Sequence, residues 1–112
     1  MCNKNQAVEI LGKVYVKCLD LFGKIESAYL YGSYARGDYS NESDVDILLT
    51  VPLEQSELSK HRMAIASISS DLSLDYDVTV SITVKSLKLF NQYCSILPFY
   101  QNILREGIRY AG

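Results

Sequence analysis

The sequence predicts one small α/β domain, residues 1–112, built on a mixed β-sheet of three to four strands flanked by helices. Three observations favour this class. Segments with apolar residues at every third or fourth position, which indicate helices, alternate with segments of strand-like pattern. A chain of 112 residues can bury one hydrophobic core and hardly two. The connection between the first two predicted strands is too short for a full crossover helix, so a purely parallel sheet is not expected.

The first half of the chain contains one predicted helix and two predicted strands. Apolar residues recur at spacings of three and four over residues 6–22, and Gly23 follows as a stop signal. Residues 25–31 (IESAYLY) alternate in polarity and predict the first strand. Residues 43–51 (SDVDILLTV) predict the second strand, which ends at Pro52.

The second half continues the alternation. An amphipathic helix is predicted over residues 54–72. Its apolar face consists of Leu58, Ile65, Ile68 and Leu72. Residues 75–84 (DYDVTVSITV) are rich in β-branched side chains and predict the third strand. The tail, residues 86–107, contains two short helical patterns that Pro98 separates, and Gly107 is a further stop signal.

Composition excludes several classes of protein. The net charge of −2 argues against a broad basic face, so direct nucleic-acid binding is not expected. The chain lacks an apolar run of 18 residues, so no membrane span is expected. The polar start (MCNKNQ) does not resemble a signal peptide. The cysteines are odd in number and widely spaced, which favours a reducing, cytoplasmic location over disulfides or a zinc site.

The start of the second strand carries two carboxylates, Asp44 and Asp46. Residues two apart on a strand point to the same face, with Cα atoms about 6.5–7 Å apart. No basic residue adjoins the pair in sequence, so the two charges repel each other and lose hydration. Cations between them would relieve that cost, as in two-metal phosphoryl-transfer sites. An isolated Asp-x-Asp is more often a turn or a solvated strand end, so the pair alone does not identify a site.

The residues ahead of this pair favour a phosphate-binding turn. Gly32 allows close approach of the backbone to a phosphate, Ser33 adds a hydroxyl donor, and Arg36 offers a guanidinium fork. Each has an ordinary structural interpretation when taken alone: a turn glycine, a helix N-cap and a surface arginine. Their combination immediately before paired aspartates favours a nucleotide site. Tyr34 and Tyr39, in the same stretch, are candidates for stacking on a base or meeting a partner.

These residues resemble a known signature. The stretch GSYARGDYSNESDVDILL is similar to the GS-x-ARG-…-SD-x-D-[IL] pattern of the DNA polymerase β-like nucleotidyltransferase superfamily. More closely, it resembles the minimal nucleotidyltransferase (MNT) domains that are usually paired with HEPN-domain proteins as toxin–antitoxin modules. The end of the chain, FYQNILREGIRY, resembles the family's final segment. The resemblance therefore spans nearly the whole chain and implies a nucleotidyltransferase core.

The resemblance implies roles for individual residues. Gly32 and Ser33 would cradle the nucleotide triphosphate, and two carboxylates, Asp44 and Asp46, would hold two Mg²⁺ ions. The family's third carboxylate lies on a neighbouring strand and is assigned to Asp77, which directly precedes the β-branched run. The competing assignment is Asp75, since it would face the same way on that strand.

The remaining motif residue is Arg36, which matches the family's arginine. The sequence leaves open whether Arg36 contacts phosphate or pairs with an acidic neighbour. Glu106 is expected to be a cap or salt-bridge residue rather than a catalytic one.

The implied reaction is Mg²⁺-dependent transfer of AMP from ATP to a hydroxyl, most simply a tyrosine of a HEPN-domain toxin, which would make the chain an antitoxin. One alternative is adenylylation of a small molecule such as an aminoglycoside, although such enzymes usually have a second, acceptor-binding domain. Another is an antitoxin that acts by binding alone, against which the intact carboxylates weigh. Nucleotide preference, acceptor and oligomeric state stay open at this level.

Overall fold

A computed structural model describes residues 2–110 and contains a four-stranded mixed sheet, as predicted. The strands are β1 (Ser27–Tyr31), β2 (Val45–Val51), β3 (Val80–Ser86) and β4 (Ile108–Arg109). Their order in the sheet is β3-β2-β1-β4. Strand β1 runs antiparallel to β2 and to β4, whereas β2 and β3 are parallel.

Six helices surround this sheet within the described residues. They are α1 (Lys4–Phe22), α2 (Ser33–Arg36), α3 (Gln55–Leu58), α4 (Arg62–Tyr76), α5 (Leu87–Tyr93) and α6 (Pro98–Glu106), with a 3₁₀ turn (Ser59–His61) between α3 and α4. The tail therefore forms the two short helices expected on either side of Pro98. No helix in residues 2–110 combines the length and the apolar character that crossing a bilayer requires.

Helix α1 begins and ends at recognisable caps. The Asn3 side chain accepts a hydrogen bond from the backbone N–H of Gln6 at 2.8 Å, and the Gln6 side chain accepts one from the N–H of Asn3 at 3.1 Å. This reciprocal pair satisfies two N–H groups that the first turn leaves without helical partners. Gly23 ends the helix with a φ of 80°, a left-handed conformation that glycine adopts without steric cost. The helix thus starts two residues earlier than the apolar pattern predicts.

The two faces of the sheet are covered differently. Alternate residues of β2, among them Val45, Ile47 and Leu49, are buried in the core that α1 and α4 complete. On the opposite face a smaller apolar cluster joins the sheet to α5 and α6; its buried members are Tyr29, Leu48, Phe90, Tyr100 and Ile103. Asp46 alternates with Ile47 and so lies on the second face, beside this smaller cluster.

The third predicted strand begins later than expected. Residues 75 and 76 belong to α4, and Asp77 ends that helix in a left-handed conformation with a φ of 52°. The prediction that Asp77 lies on a strand is therefore wrong. The last turn of this helix contacts α1: the Tyr76 hydroxyl donates to the Glu9 carboxylate at 2.8 Å, and the Lys13 ammonium lies 4.9 Å from the Tyr76 ring centre. The residue pattern of the predicted strand, residues 75–84, does not predict these contacts with α1.

The helix predicted over residues 54–72 is interrupted rather than continuous. The 3₁₀ turn separates α3 from α4, and α4 then runs four residues further than predicted. The predicted apolar face is otherwise present: Leu58 and Leu72 are buried, while Ile65 and Ile68 pack against the core at intermediate exposure.

Candidate active site

The turn between β1 and α2 brings backbone directly against a carboxylate. Gly32 has a φ of 76° and a ψ of −156°, a region that is essentially restricted to glycine. A Cβ atom at this position would lie 2.6 Å from Oδ2 of Asp46. The backbone conformation therefore requires glycine here, and a larger residue would displace the Asp46 carboxylate. The carbonyl of Gly32 accepts the first N–H bonds of α2, from Ala35 and Arg36, each at 3.1 Å.

The two motif aspartates lie at the beginning of β2. Asp44 precedes the strand and is exposed, whereas Asp46 is its second residue and is half-buried. Burial, with the negative charge of Asp44 as a second cause, raises the pKa of the Asp46 carboxyl above its ordinary value of 3.8, and Arg36 opposes the shift. A cation bound beside Asp46 would stabilise its ionised form.

The two candidates for a third carboxylate lie in different places. Asp77, at the end of α4, lines an open cavity of about 380 Å³ together with Asp44. Asp75 lies on the other side of α4, where it lines a cavity with Glu9 and Lys13 of α1. The expectation that Asp75 and Asp77 face the same way is wrong, because both precede β3 and helix geometry separates them. Of the two, Asp77 is the one that shares a surface with the motif.

The neighbouring strand offers hydroxyls rather than a carboxylate. The residue paired with Asp46 on β3 is Ser81, and Thr83 is the next residue of β3 on the same face. Within residues 2–110, no three side chains among His, Cys, Asp and Glu lie close enough together to hold one metal ion. Asp44 thus lies close enough to Asp46 for its charge to raise the pKa of that carboxyl, and Asp77 shares a cavity with Asp44 without completing a three-carboxylate set. A metal-binding role for Asp77 stays a prediction.

Arg36 is paired with two acidic side chains. Its Nε lies 3.3 Å from Oδ2 of Asp38, and its Nη1 lies 3.7 Å from Oε2 of Glu106 on α6. Both pairs are partly exposed, and such pairs contribute little to stability. The same guanidinium lies beside Gly32 on a cavity of about 220 Å³ between β1, α2 and α6. Pairing of Arg36 with acidic neighbours, one of the two alternatives left open by the sequence, is present in the structure.

Residues outside the motif complete this region. Tyr31 is paired with Asp46 across β1 and β2, and burial, followed by the charge of Asp46, raises the pKa of its hydroxyl while Thr83 opposes the shift. The ring of Phe99 on α6 packs edge-on against Tyr31 with ring centres 5.5 Å apart. The alternation of the first strand predicts the direction of Tyr31. The position of Phe99 depends on how α6 packs against the sheet, and no local sequence pattern predicts that packing.

The two aromatic residues inside the motif stack on each other, and Tyr34 is the buried member of the pair. Tyr34 is 1% exposed, and its hydroxyl donates to the carbonyl of Cys2 at 3.3 Å. Its ring stacks on that of Tyr39 with ring centres 4.4 Å apart. Tyr34 therefore belongs to the core and has no free face for a nucleotide base, which corrects the expectation raised by its position in the motif. Stacking of Tyr39 on a base, or its contact with a partner, stays a prediction.

Comparison with known proteins identifies the family. The family model described as "Nucleotidyltransferase domain" matches residues 13–110. In sequence, the chain is 36% identical over 85 residues to a protein of Methanocaldococcus jannaschii named "Putative protein adenylyltransferase MJ0604". That match covers 76% of this chain and 77% of the archaeal protein.

Solved structures share the fold at lower sequence identity. A crystal structure of a "putative nucleotidyltransferase" from Sulfolobus solfataricus superimposes with a TM-score of 0.63 and 16% identity, covering 96% of this chain and 81% of that one. A chain from a toxin–antitoxin structure solved with AMP-PNP has a TM-score of 0.56 and 21% identity, covering 99% and 74%. At these identities the structural likeness establishes the fold.

Proposed function

Because this chain belongs to the nucleotidyltransferase domain family, we propose that it transfers AMP from ATP to a tyrosine hydroxyl of a HEPN-domain toxin and thereby acts as an antitoxin. The observation that carries the proposal is the approach of Gly32 to Asp46. The turn at Gly32, which suits a phosphate, lies directly against the carboxylate of Asp46. A bound cation would stabilise the ionised form of this carboxylate. The name of the archaeal relative supports protein adenylylation, and the toxin–antitoxin structure with AMP-PNP supports the nucleotide and the class of partner.

The residues present fit Mg²⁺. The donors beside the turn are carboxylate oxygens, which hard divalent cations prefer. Burial and the charge of Asp44 raise the pKa of Asp46, so a bound cation would stabilise its ionised form. We propose that Asp44 and Asp46 hold the ions, two in number by resemblance to the family, and that Asp77 supplies a further carboxylate. When bound, Mg²⁺ would lower the pKa of the acceptor hydroxyl and offset negative charge on the triphosphate.

The chain's own residues would position the reactants. The backbone at Gly32 and the hydroxyl of Ser33 would hold the triphosphate against α2, and Arg36 would turn its guanidinium from Glu106 towards a phosphate. The acceptor oxygen then forms a bond to the α-phosphorus while the bond to pyrophosphate breaks, and the hydroxyl proton is released. In-line geometry and charge stabilisation supply most of the catalysis in reactions of this type.

The shape of the site favours a protein acceptor over a small molecule. The cavities beside the motif, of about 380 and 220 Å³, are open and lined largely by exposed residues. A site for a small acceptor encloses most of its ligand, and these cavities lack the walls for that. A folded partner would bring its own hydroxyl and close the open side. Leu97 and Phe99, 42% and 45% exposed at the start of α6, would give such a partner apolar surface beside the site.

The proposal predicts that adenylylation requires the partner. Incubation of the protein with labelled ATP, Mg²⁺ and the helical protein encoded beside it should add an adenylyl group to a partner tyrosine, detected by mass spectrometry. The matched control replaces the partner with aminoglycosides, which should stay unmodified. Modification of an aminoglycoside with none on the partner would favour the small-molecule alternative. Full neutralisation of the toxin by Asp46→Asn would favour an antitoxin that acts by binding alone.

A second prediction concerns metal dependence of nucleotide binding. Carboxylates facing a polyanionic nucleotide repel it unless cations intervene, so ATP should bind much more weakly in EDTA than in Mg²⁺. Isothermal titration calorimetry in the two conditions measures the difference, and the Asp44→Asn variant should show a smaller one. Equal affinity with and without Mg²⁺ would contradict the metal assignment.

A further inference from the structure

The outer edge of β3 carries backbone groups that point away from the sheet. Strand β3 is the last strand on its side and pairs with β2 in parallel. In a parallel pair, alternate residues direct their N–H and C=O groups to the neighbour. The N–H of Val45 donates to the carbonyl of Thr79 at 2.8 Å, so the series that begins at Thr79 faces β2. The outward series is Val80, Ile82, Val84 and Ser86.

Side chains form hydrogen bonds with the outward backbone groups at both ends of this edge. The N–H of Val80 donates to Oγ of Ser73 at 3.0 Å, and its carbonyl accepts a hydrogen bond from Ser69 on the same helix. At the other end, the N–H of Ser86 donates to Oε1 of Gln55 at 3.2 Å. These bonds prevent strand pairing at the two ends of β3, which is one way in which proteins protect exposed sheet edges.

The middle of the edge stays open. Within residues 2–110, no hydrogen bond of this kind reaches the outward groups of Ile82 or Val84. Both residues line a cavity of about 360 Å³ between β3 and the segment from α3 to α4. The cavity combines apolar and polar walls; its other lining residues are Gln55, Leu58, Ser59, Arg62 and Ile65. Its volume falls at the lower end of the range typical of ligand sites, roughly 300–1,000 Å³.

Arg62 gives this opening a charge preference. The side chain is exposed and forms no ion pair within residues 2–110, although the protein as a whole is acidic. A ligand that pairs with the backbone of Ile82 and Val84 would therefore gain from a carboxylate near Arg62 and from an apolar side chain between Leu58 and Ile65.

We propose that the edge of β3 at Ile82 and Val84 binds an extended, acidic peptide segment of a partner protein, which adds to the sheet as a short strand. Main-chain hydrogen bonds to the two outward residues would hold the segment, and the cavity and Arg62 would select its side chains. A second copy of this chain is a poorer occupant, because its β3 edge would bring another Arg62 rather than a carboxylate to the opening.

The proposal makes a residue-specific prediction about amide exchange. In the free protein, the amides of Ile82 and Val84 should exchange with solvent faster than that of Thr83, which is bonded to β2, and faster than that of Val80, which is bonded to Ser73. Addition of the peptide acetyl-DVSVD-amide at millimolar concentration should shift the NMR signals of Ile82 and Val84 and slow their exchange several-fold.

Two controls separate strand addition from non-specific contact. The same peptide with methylated backbone nitrogens keeps its side chains but lacks N–H donors, and it should leave the exchange of both amides unchanged. Arg62→Glu should weaken binding of the unmodified peptide, whereas the matched Arg105→Glu, on α6, should not. Three results would overturn the proposal: slow exchange of Ile82 and Val84 in the free monomer, equal effects of the two peptides, or no effect of the unmodified peptide. Protection that depends on protein concentration would instead assign the edge to a second copy.

Discussion

Asp46→Asn is expected to lower the rate of AMP transfer by about 10²–10³-fold, the loss typical when a charge-stabilising group is removed from an active site. The substitution keeps the size of the side chain and removes the charge that would hold the cation. Single-turnover assays with labelled ATP and the partner protein would measure the loss. Asp44→Asn should act in the same direction, because the two carboxylates share the same end of β2. Transfer near the wild-type rate in either variant would show that the metal assignment is wrong.

The same substitution should raise stability at neutral pH. Burial and Asp44 raise the pKa of the Asp46 carboxyl in the folded protein above its ordinary value of 3.8, so the folded state holds the proton more tightly than the unfolded chain does. Stability therefore falls as pH rises from 3.8 through the raised pKa, and the penalty persists above it. The uncharged amide of the Asp46→Asn variant would lack this penalty. Thermal unfolding at pH 7 should give a higher Tm for this variant, and the difference should shrink below pH 3.8, where both states are protonated. A lower Tm at pH 7 would indicate that Asp46 has a stabilising partner.

Asp77 and Asp75 provide a matched pair for the third carboxylate. Both are exposed, they lie two residues apart, and Asp77 is the one that shares a cavity with Asp44. Asp77→Asn should reduce transfer and raise the Mg²⁺ concentration needed for half-maximal rate, while Asp75→Asn should leave both unchanged. The reverse pattern would assign the role to Asp75, and no effect of either would restrict the metal ligands to Asp44 and Asp46.

Gly32→Ala is expected to reduce transfer by about 10²-fold, the order of loss that follows a displacement of about 1 Å in a reacting group. A Cβ atom at Gly32 would stand 2.6 Å from Oδ2 of Asp46, so the carboxylate must move away. The matched control is Gly23→Ala. Gly23 has nearly the same φ, 80° against 76°, and its added Cβ would meet nothing within 4 Å. Both variants lose stability from backbone strain, roughly 1–3 kcal/mol.

The comparison of these two glycine variants isolates the effect on the carboxylate. Thermal unfolding measures the backbone strain in each variant, and transfer assays at a temperature where both are folded compare their activities. We expect Gly23→Ala to retain normal transfer. Equal activity of the two variants would mean that the contact between Gly32 and Asp46 does not matter for the reaction.

Several parts of this molecule could be predicted from local patterns because local forces decide them. The apolar spacing that predicts α1, the alternation that predicts β1, and the break at Pro98 all depend on residues within a few positions of one another. The same holds for Gly32 at the turn and for Asp44 and Asp46 at the beginning of β2. The family resemblance rests mainly on the contiguous stretch GSYARGDYSNESDVDILL. The match of the nucleotidyltransferase domain model to residues 13–110 confirms it.

Other features depended on contacts between distant segments. Asp77 ends a helix whose last residue, Tyr76, contacts Glu9 and Lys13 on α1, although the residues around Asp77 alternate like those of a strand. Arg36 meets Glu106 because α6 returns to the sheet near Gly32. Burial of Tyr34 likewise depends on where Cys2 and Tyr39 come to lie.

By itself, the sequence determined the class of the fold, the family and the pair of aspartates, since hydrophobic periodicity and backbone freedom act over a few residues. The tertiary structure decided which residues surround that pair: Gly32 against Asp46, Ser81 opposite Asp46, and Asp77 on a cavity shared with Asp44. It also decided where β3 leaves backbone groups unpaired. These features follow from sheet register and from the packing of helices on the sheet, and the energies that set them are summed over contacts between residues far apart in the chain.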